Sequence, residues 1–173
     1  SLSGEIALYP LTKNNHVNGI LRTSLSTKEN TVITKQAHDY LSSLLKKLNY
    51  VGVLALELFV KDDMVIANEY APRVHNSGHW TIEGTDASQF ENHLRAIMDM
   101  KLGDTSVHGY AGMENLIGNI PAKIRDLNKE FFFHDYGKEE RQGRKLGHVS
   151  IVTSKEEDRE IKLKEIQRII SQT

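Results

Sequence analysis

The fold is decided by residues 51–70, which read VGVLALELFVKDDMVIANEY. The first ten of these residues are almost continuously apolar, which is typical of a strand that is buried on both faces. Lys61-Asp62-Asp63 supplies a polar turn, and Met64–Tyr70 is predicted to return as a second strand. The stretch therefore predicts a β-hairpin whose apolar first strand holds a single carboxylate, Glu57.

Glu57 is the residue of this hairpin that points to a function. A buried carboxylate costs on the order of several kcal/mol unless it is paired. If Lys61 pairs with Val65, Glu57 lies directly across from Glu69 on the same face, where a divalent cation would offset the repulsion. Oxygen ligands on adjacent strands suit Mg²⁺ whose shell is completed by nucleotide phosphates. Asn68 would add a neutral oxygen ligand if its strand is bulged.

Three alternatives to this metal site stay open at the level of sequence. Glu57 would be neutralised without a metal if an Arg or Lys side chain paired with it. The face that carries it would instead be solvated if the hairpin were exposed. A register that pairs Lys61 with Met64 would turn Glu69 to the other face, and a shared metal site would then fail.

A polar loop, residues 71–80, follows Glu69 directly and must lie beside the predicted metal. The planar guanidinium of Arg73 suits a carboxylate-like anion such as bicarbonate, or a phosphate. His75 and Asn76 are predicted to donate hydrogen bonds to charge that develops on oxygen during phosphoryl transfer. The loop therefore predicts an anion site.

Other interpretations of the same loop concern its two histidines and its tryptophan. A zinc pair of His75 and His79 is less favoured, because Ser77 and Gly78 disfavour the helix that such a pair needs. We favour a structural role for His79, as part of a turn that satisfies local backbone groups. Trp80 is predicted to be a packing anchor.

Sequence patterns also predict the other elements and a domain boundary. The predicted strands are 5–9 and 19–25, joined by a polar loop at 12–18, and later 113–116, 131–136 and 146–152. The predicted helices are 28–48, which stops at Asn49, one that begins with an Asp86/Gln89 cap, and a last one that begins with a Ser154/Glu157 capping box. The Gly-rich, polar stretch 101–112 predicts a boundary between domains 1–104 and 105–173.

Composition excludes several classes of protein. The chain has 22 Lys and Arg against 23 Asp and Glu, for a net charge of −1, which argues against a nucleic-acid binder. It has no cysteine, which excludes a disulfide framework and fits a reducing compartment, the cytoplasm. No apolar run reaches the length needed to cross a membrane. The basic loop 137–145 also contains two Glu residues, and its spacing alone favours a solvated turn.

Several segments together resemble the N5-carboxyaminoimidazole ribonucleotide synthetases, which are ATP-grasp enzymes of purine biosynthesis. The most specific segment is NEYAPRVHNSGHWT, residues 68–81. Weaker similarities lie at 9–16, 19–24, 52–59, 88–91, 93–96, 115–118 and 143–148. The resemblance implies an α+β fold: the C-terminal half of an ATP-grasp domain, an antiparallel sheet with packed helices, followed by a small β-rich C-terminal domain.

The resemblance also implies a reaction and a nucleotide site. In these enzymes ATP phosphorylates bicarbonate to carboxyphosphate, and the carboxyl group is transferred to the exocyclic amine of 5-aminoimidazole ribonucleotide. Glu57 and Glu69 would hold Mg²⁺. His16 and Asn68 would contact the nucleotide, and Glu69 would belong to both the metal and the nucleotide site.

The substrate residues follow from the same resemblance. Arg73, His75 and Asn76 would position bicarbonate and stabilise carboxyphosphate. Lys138 and Arg144 would bind the phosphate of the ribonucleotide, which reverses the interpretation that spacing alone favours for the basic loop.

The chain departs from the family pattern at its beginning. Such enzymes have an N-terminal Rossmann-like domain and, ahead of the residue that corresponds to Ser3, strands that supply the adenine hinge and phosphate-binding lysines. We therefore expect a fragment of a longer, homodimeric protein, and a fragment that does not turn over ATP alone. Two alternatives stay open: another ATP-grasp carboxylate–amine ligase, such as a formate-dependent purine transformylase or a biotin-carboxylase-like protein, and a non-catalytic binding or assembly module.

Overall fold

The computed structural model describes residues 1–28 and 32–172, which form two antiparallel sheets and several helices. The strands are β1 Thr12–Val17, β2 Ile20–Ser26, β3 Ala55–Lys61, β4 Met64–Ala71, β5 Tyr110–Ile117, β6 Phe132–Asp135 and β7 Lys145–Thr153. The helices are α1 Val32–Leu48, α2 Thr81–Gly84, α3 Gln89–Ile97, α4 Ala122–Arg125 and α5 Glu156–Ser171, with a 3₁₀ turn at Asn76–Gly78. None of the helices in these ranges is long and apolar enough to cross a membrane.

The larger sheet has the order β1-β2-β5-β7-β6 and forms the centre of the fold. One face packs against α5, and its apolar contacts include Leu116, Val149 and Ile166. The other face carries Met113, which packs against the buried Trp80 as the sequence predicts. Because β2 pairs with β5, the sheet joins strands from both sides of residue 104, and the division into domains 1–104 and 105–173 stays a prediction.

The beginning of the chain differs from the sequence prediction. Residues 5–9 form no strand, and the predicted polar loop 12–18 is mostly the strand β1. Asn18 and Gly19 have positive φ values of 52° and 74° and close a tight turn into β2. Asn-Gly is a strong signal for such a turn. Since β1 is an edge strand and mostly exposed, its polar composition concealed it.

The helix boundaries show where capping signals mislead. The first helix is predicted to begin at Lys28, and residues 29–31 of that prediction lie outside the described residues. Its predicted stop is confirmed, because α1 ends at Leu48 and Asn49 has a left-handed φ of 47°. Helix α3 is capped by Ser88, which accepts from Glu91 N at 3.2 Å, and the predicted Asp86/Gln89 cap is wrong.

The last helix lacks its predicted capping box. Its N-cap is Lys155, which makes no side-chain cap hydrogen bond. The first turn of α5 contains three acidic residues, 156–158. Their negative charges stabilise the helix, because they lie at the positive end of its dipole. The helix buries Leu163 and Ile166 as predicted, while Ile170 is half-buried.

The hairpin β3–β4 is a separate two-stranded sheet, so its predicted burial on both faces is wrong. Phe59 is 60% exposed and Val60 is 56% exposed. The inner end is better covered, because α1 packs beside it and Gln36 accepts a hydrogen bond from Val65 N at 3.3 Å.

Gly147 allows the close pairing of β6 with β7, and this gives a first testable prediction. A Cβ atom at Gly147 would lie 2.3 Å from the carbonyl oxygen of His134. We expect Gly147→Ala to lower the free energy of unfolding by roughly 2–3 kcal/mol, because the strand must shift to relieve the clash. Urea denaturation measures this. Ser150→Ala on the same strand is the control, since the buried Ser150 hydroxyl has no partner among the described residues; equal stability of the two variants would contradict the prediction.

Candidate active site

The turn of the hairpin sets a register that, by itself, would separate the two carboxylates. Asp62 and Asp63 both have left-handed φ values, 50° and 58°, and form a two-residue turn. Lys61 consequently pairs with Met64, and the predicted pairing of Lys61 with Val65 is wrong.

A β-bulge restores the arrangement that a metal site requires. Leu58 pairs with Ala67, whereas Glu57 pairs with Glu69, so Asn68 is the extra residue of β4. Because a bulge shifts the side-chain alternation by one residue, Glu69 returns to a position opposite Glu57. The predicted opposition of the two carboxylates is therefore confirmed, by a different route from the one expected. The bulge also meets the condition that was set for Asn68 as a metal ligand, and that role stays a prediction.

Glu57 has an electrostatic environment that leaves its charge largely uncompensated by cations. Its side chain is 22% exposed, and His75 Nε2 lies 3.5 Å from Glu57 Oε1. Within residues 1–28 and 32–172, no Lys or Arg nitrogen comes within 4.0 Å of it. Lys145 interacts with Glu57 electrostatically: burial lowers the pKa of Lys145, and Glu57 opposes that shift.

The donor set fits Mg²⁺ bound together with a nucleotide. Glu57 and Glu69 offer carboxylate oxygens on adjacent strands, which is the chemistry that Mg²⁺ prefers. The described part of the chain has no group of three or more His, Cys, Asp or Glu arranged to hold a metal ion. A cation here would therefore take its remaining ligands from phosphate oxygens or water, as Mg²⁺ does in nucleotide enzymes.

His75 is held in one tautomer by the 3₁₀ turn that it caps. Its Nδ1 accepts a hydrogen bond from Ser77 N at 3.4 Å and lies 2.8 Å from Ser77 Oγ. Since Nδ1 is an acceptor, the ring hydrogen is on Nε2, which faces Glu57. Burial lowers the pKa of His75 although Glu57 opposes the shift, so the imidazole is neutral near pH 7 and presents an N–H.

Gln89, a buried residue of α3, fixes the backbone of this turn. Gln89 Oε1 accepts from His75 N at 2.9 Å, and Gln89 Nε2 donates to His75 O at 2.8 Å. The same Nε2 lies 2.8 Å from His79 Nδ1. One buried amide therefore positions both histidines of the loop, which corrects the expectation that His79 satisfies local backbone groups.

Arg73 is exposed at the edge of the site. Its Nη1 donates to Val74 O at 2.9 Å, which leaves the rest of the guanidinium for an anion. Its charge lowers the pKa of both His75 and Lys145, so all three groups lie within one electrostatic neighbourhood.

An open cleft of about 830 Å³ lies beside these groups. Its lining includes residues of the chain start, α1, β3 and the 3₁₀ turn. Four of the predicted site residues line it: His16, Glu57, Asn68 and His75. The fold therefore brings two of the three predicted nucleotide residues and one metal carboxylate to a single cavity, whereas Glu69, Arg73 and Asn76 lie outside its lining.

The two predicted phosphate-binding residues lie outside the lining of this cleft in the described chain. Lys138 is exposed, with Nζ 5.2 Å from the centre of the Tyr136 ring. Arg144 is half-buried, and its Nη1 donates to Glu139 O at 3.5 Å. Their role in binding the ribonucleotide stays a prediction.

Comparison with protein families identifies the first half of the chain. Residues 1–90 match the family model described as ATP-grasp domain. The chain belongs to the ATP-grasp family. Residues 111–162 also match the model described as phosphoribosylaminoimidazole carboxylase C-terminal domain. The central sheet therefore contains strands from both matched segments.

The chain is similar along most of its length to N5-carboxyaminoimidazole ribonucleotide synthases. The chain is 42% identical over 168 residues to N5-carboxyaminoimidazole ribonucleotide synthase of Pseudomonas aeruginosa, covering 96% of the chain and 46% of that protein. A crystal structure of the synthetase from Thermus thermophilus has a TM-score of 0.93 at 44% identity, over 98% of the chain and 48% of that structure. The chain thus spans about half the length of these relatives.

A second similar structure contains ligands. It is the synthase from Aspergillus clavatus in complex with ADP and 5-aminoimidazole ribonucleotide, with a TM-score of 0.86 at 27% identity. The match covers 94% of the chain and 47% of that structure. The predicted likeness to this group of ATP-grasp enzymes and the α+β fold are both confirmed.

Sequence reasoning missed an aromatic cluster that includes His79 of the polar loop 71–80 together with His134, Tyr136 and His148. His134 stacks on His148 with ring centres 4.5 Å apart, and His79 lies 5.2 Å from His148. Tyr136 Oη is 2.8 Å from His148 Nδ1, and His134 Nε2 is 2.6 Å from Glu83 Oε1. The pairing of β6 with β7 places His134 opposite His148, and the packing of α2 against β7 adds His79 and Glu83, which are more than 50 positions away in sequence.

Proposed function

We propose that the protein from which this chain derives carboxylates 5-aminoimidazole ribonucleotide at its exocyclic amine, with ATP and bicarbonate, in purine biosynthesis. The observation that carries the proposal is the opposition of Glu57 and Glu69 beside the Arg73–Asn76 loop. The relatives named above support the choice of substrate, since one of them binds ADP and this ribonucleotide. Resemblance to the family also supports a homodimeric full-length protein and a cytoplasmic location.

The proposed first step is phosphoryl transfer. A bicarbonate oxygen attacks the γ-phosphorus of ATP, the bond to the bridging oxygen breaks, and ADP leaves as carboxyphosphate forms. Glu57 and Glu69 would hold Mg²⁺, which neutralises charge on the phosphates when bound. Arg73 would orient the bicarbonate, and the N–H on Nε2 of His75 would donate to an oxygen that gains charge.

The proposed second step is transfer of the carboxyl group. The amine nitrogen attacks the carboxyl carbon, the carbon–oxygen bond to phosphate breaks, and the amine loses one proton as inorganic phosphate leaves. Asn76 would contact the carboxyphosphate, and Lys138 and Arg144 would hold the ribonucleotide phosphate. Lys145 is half-buried and interacts electrostatically with Glu57 and Arg73. It would add positive charge beside the carboxyphosphate and the ribonucleotide phosphate.

An assay of the full-length protein tests this function. We expect ADP release to require Mg²⁺, bicarbonate and 5-aminoimidazole ribonucleotide together, with transfer of labelled bicarbonate to an acid-labile product. The 173-residue chain alone is expected to release no ADP, because it matches only about half of its relatives. ADP release that requires formate would favour another ligase, and absence of any nucleotide-dependent activity would favour a binding or assembly module.

A further inference from the structure

Asn115 lies in the middle of β5 and is completely buried. Burying an amide is unfavourable unless its hydrogen-bonding groups find partners, so its contacts decide whether it is tolerated. Its neighbours Glu114 and Leu116 face α5, through contacts with Gln167 and the apolar core. Asn115 points to the opposite face of the sheet, where the 3₁₀ turn of the candidate site lies.

The amide of Asn115 exchanges two hydrogen bonds with the amide of Asn76. Asn115 Nδ2 donates to Asn76 Oδ1 at 2.8 Å, and Asn76 Nδ2 donates to Asn115 Oδ1 at 3.0 Å. Asn115 Nδ2 also donates to the backbone oxygen of Leu21 at 3.0 Å. Both hydrogens of this nitrogen are therefore used, one on β2 and one on the turn.

The bond to Leu21 removes the rotational ambiguity of both amides. A backbone carbonyl only accepts hydrogen bonds, so the nitrogen of Asn115 must face Leu21. The reciprocal pair then forms only when Asn76 presents its oxygen to Asn115 Nδ2 and its nitrogen to Asn115 Oδ1. A backbone group of β2 thereby determines which way the Asn76 amide is turned.

One N–H of Asn76 remains outside this exchange. It is directed at the phenol of Tyr136: burial raises the pKa of Tyr136 to about 12, and a hydrogen bond from the Asn76 side chain opposes that shift. Lys138 follows Tyr136 in the chain and lies over its ring. The second donor of Asn76 therefore faces Tyr136, on the side of the site where Lys138 of the basic loop is found.

We propose that Asn115 is a positioning residue that turns the amide donor of Asn76 toward the reacting anion. This inference rests on the proposed function, in which Asn76 contacts carboxyphosphate. Without Asn115, the Asn76 amide is free to turn by 180° and to present its oxygen to a negatively charged intermediate. That orientation replaces a hydrogen bond by repulsion and slows the reaction without touching the nucleotide.

The positioning is tested first on the chain itself, independently of any activity. The side-chain NH₂ signals of Asn76 in a ¹⁵N-labelled chain are expected to show slow hydrogen exchange, and to lose it in Asn115→Leu and in Asn115→Ala. Thr23→Val is the matched control: it removes a buried hydrogen bond to Glu114 from the same sheet without a link to Asn76. Asn76 signals that stay protected in both Asn115 variants would overturn the proposal.

The catalytic consequence is tested on the full-length protein with a double-mutant cycle. We expect Asn115→Leu and Asn115→Ala to lower kcat by about 10- to 100-fold, with an unchanged KM for ATP, and Thr23→Val to lower it by less than about twofold. In an Asn76→Ala background the Asn115 substitution is expected to add nothing, because it acts through Asn76. Losses that multiply would overturn the proposal. A full-length protein that is inactive would instead refute the proposed function and leave the exchange experiment to decide the positioning.

Discussion

Replacing Glu57 by Gln in the full-length protein is expected to lower kcat for ADP formation by about 10³-fold or more. The two carboxylates are opposed across the hairpin, and a neutral amide in place of one of them weakens the hold on Mg²⁺. A bound metal supplies several kcal/mol of charge stabilisation in phosphoryl transfer, and each 1.4 kcal/mol corresponds to about tenfold in rate. Steady-state ADP release at several Mg²⁺ concentrations measures the effect, and the variant should require more Mg²⁺.

A matched control separates loss of the metal site from loss of charge. Asp62→Asn makes the same chemical change in the same hairpin, at an exposed turn residue whose left-handed φ suits Asn. It should keep kcat within about twofold of the unchanged protein. A Glu57→Gln variant that retained more than a tenth of the activity, with unchanged Mg²⁺ dependence, would place the metal elsewhere.

The hairpin shows how far local sequence rules reach. Glu57 stood out because a carboxylate interrupts an apolar run, whereas its predicted position opposite Glu69 depended on an assumed register of the hairpin. The register at the turn was wrong, since Asp62 and Asp63 close a two-residue turn and not the three-residue turn expected. The bulge that compensates for it depends on the pairing of whole strands, which no short window of sequence encodes.

The central sheet shows what sequence reasoning could not recover. The polar composition of β1 indicated a loop, because an edge strand beside a cleft needs no apolar stripe. Asn115 stood out only as part of a family-like segment, and Gln89 only as part of such a segment and of a predicted helix cap, although each fixes a residue of the candidate site. Their roles depend on contacts across 39 and 14 positions of sequence, and buried amides carry no periodic signal.

Lowering the pH from 7 to 5 is expected to destabilise the folded chain by about 4 kcal/mol, through two histidines of the aromatic cluster. Burial, reinforced by neighbouring histidines, lowers the pKa of His148 to about 3 and that of His79 to about 4. In the unfolded chain both pKa values return to about 6.5. Below that pH the unfolded state binds more protons than the folded state, so stability is complete above about pH 7 and falls as the pH approaches the folded-state values.

Urea denaturation at pH 7.5, 6 and 5 measures this loss, and two variants assign it. His148→Phe keeps an aromatic ring against His134 but cannot titrate, so about half of the pH dependence should disappear. Ser150→Ala changes a buried hydroxyl group on the same strand, which does not titrate in this range, and should leave the pH dependence unchanged. An independent NMR titration of the His148 ring covers the case in which the Phe variant folds poorly. A His148 pKa near 6.5 in the folded chain, or equal pH slopes for the unchanged chain and His148→Phe, would show that the cluster does not control acid stability.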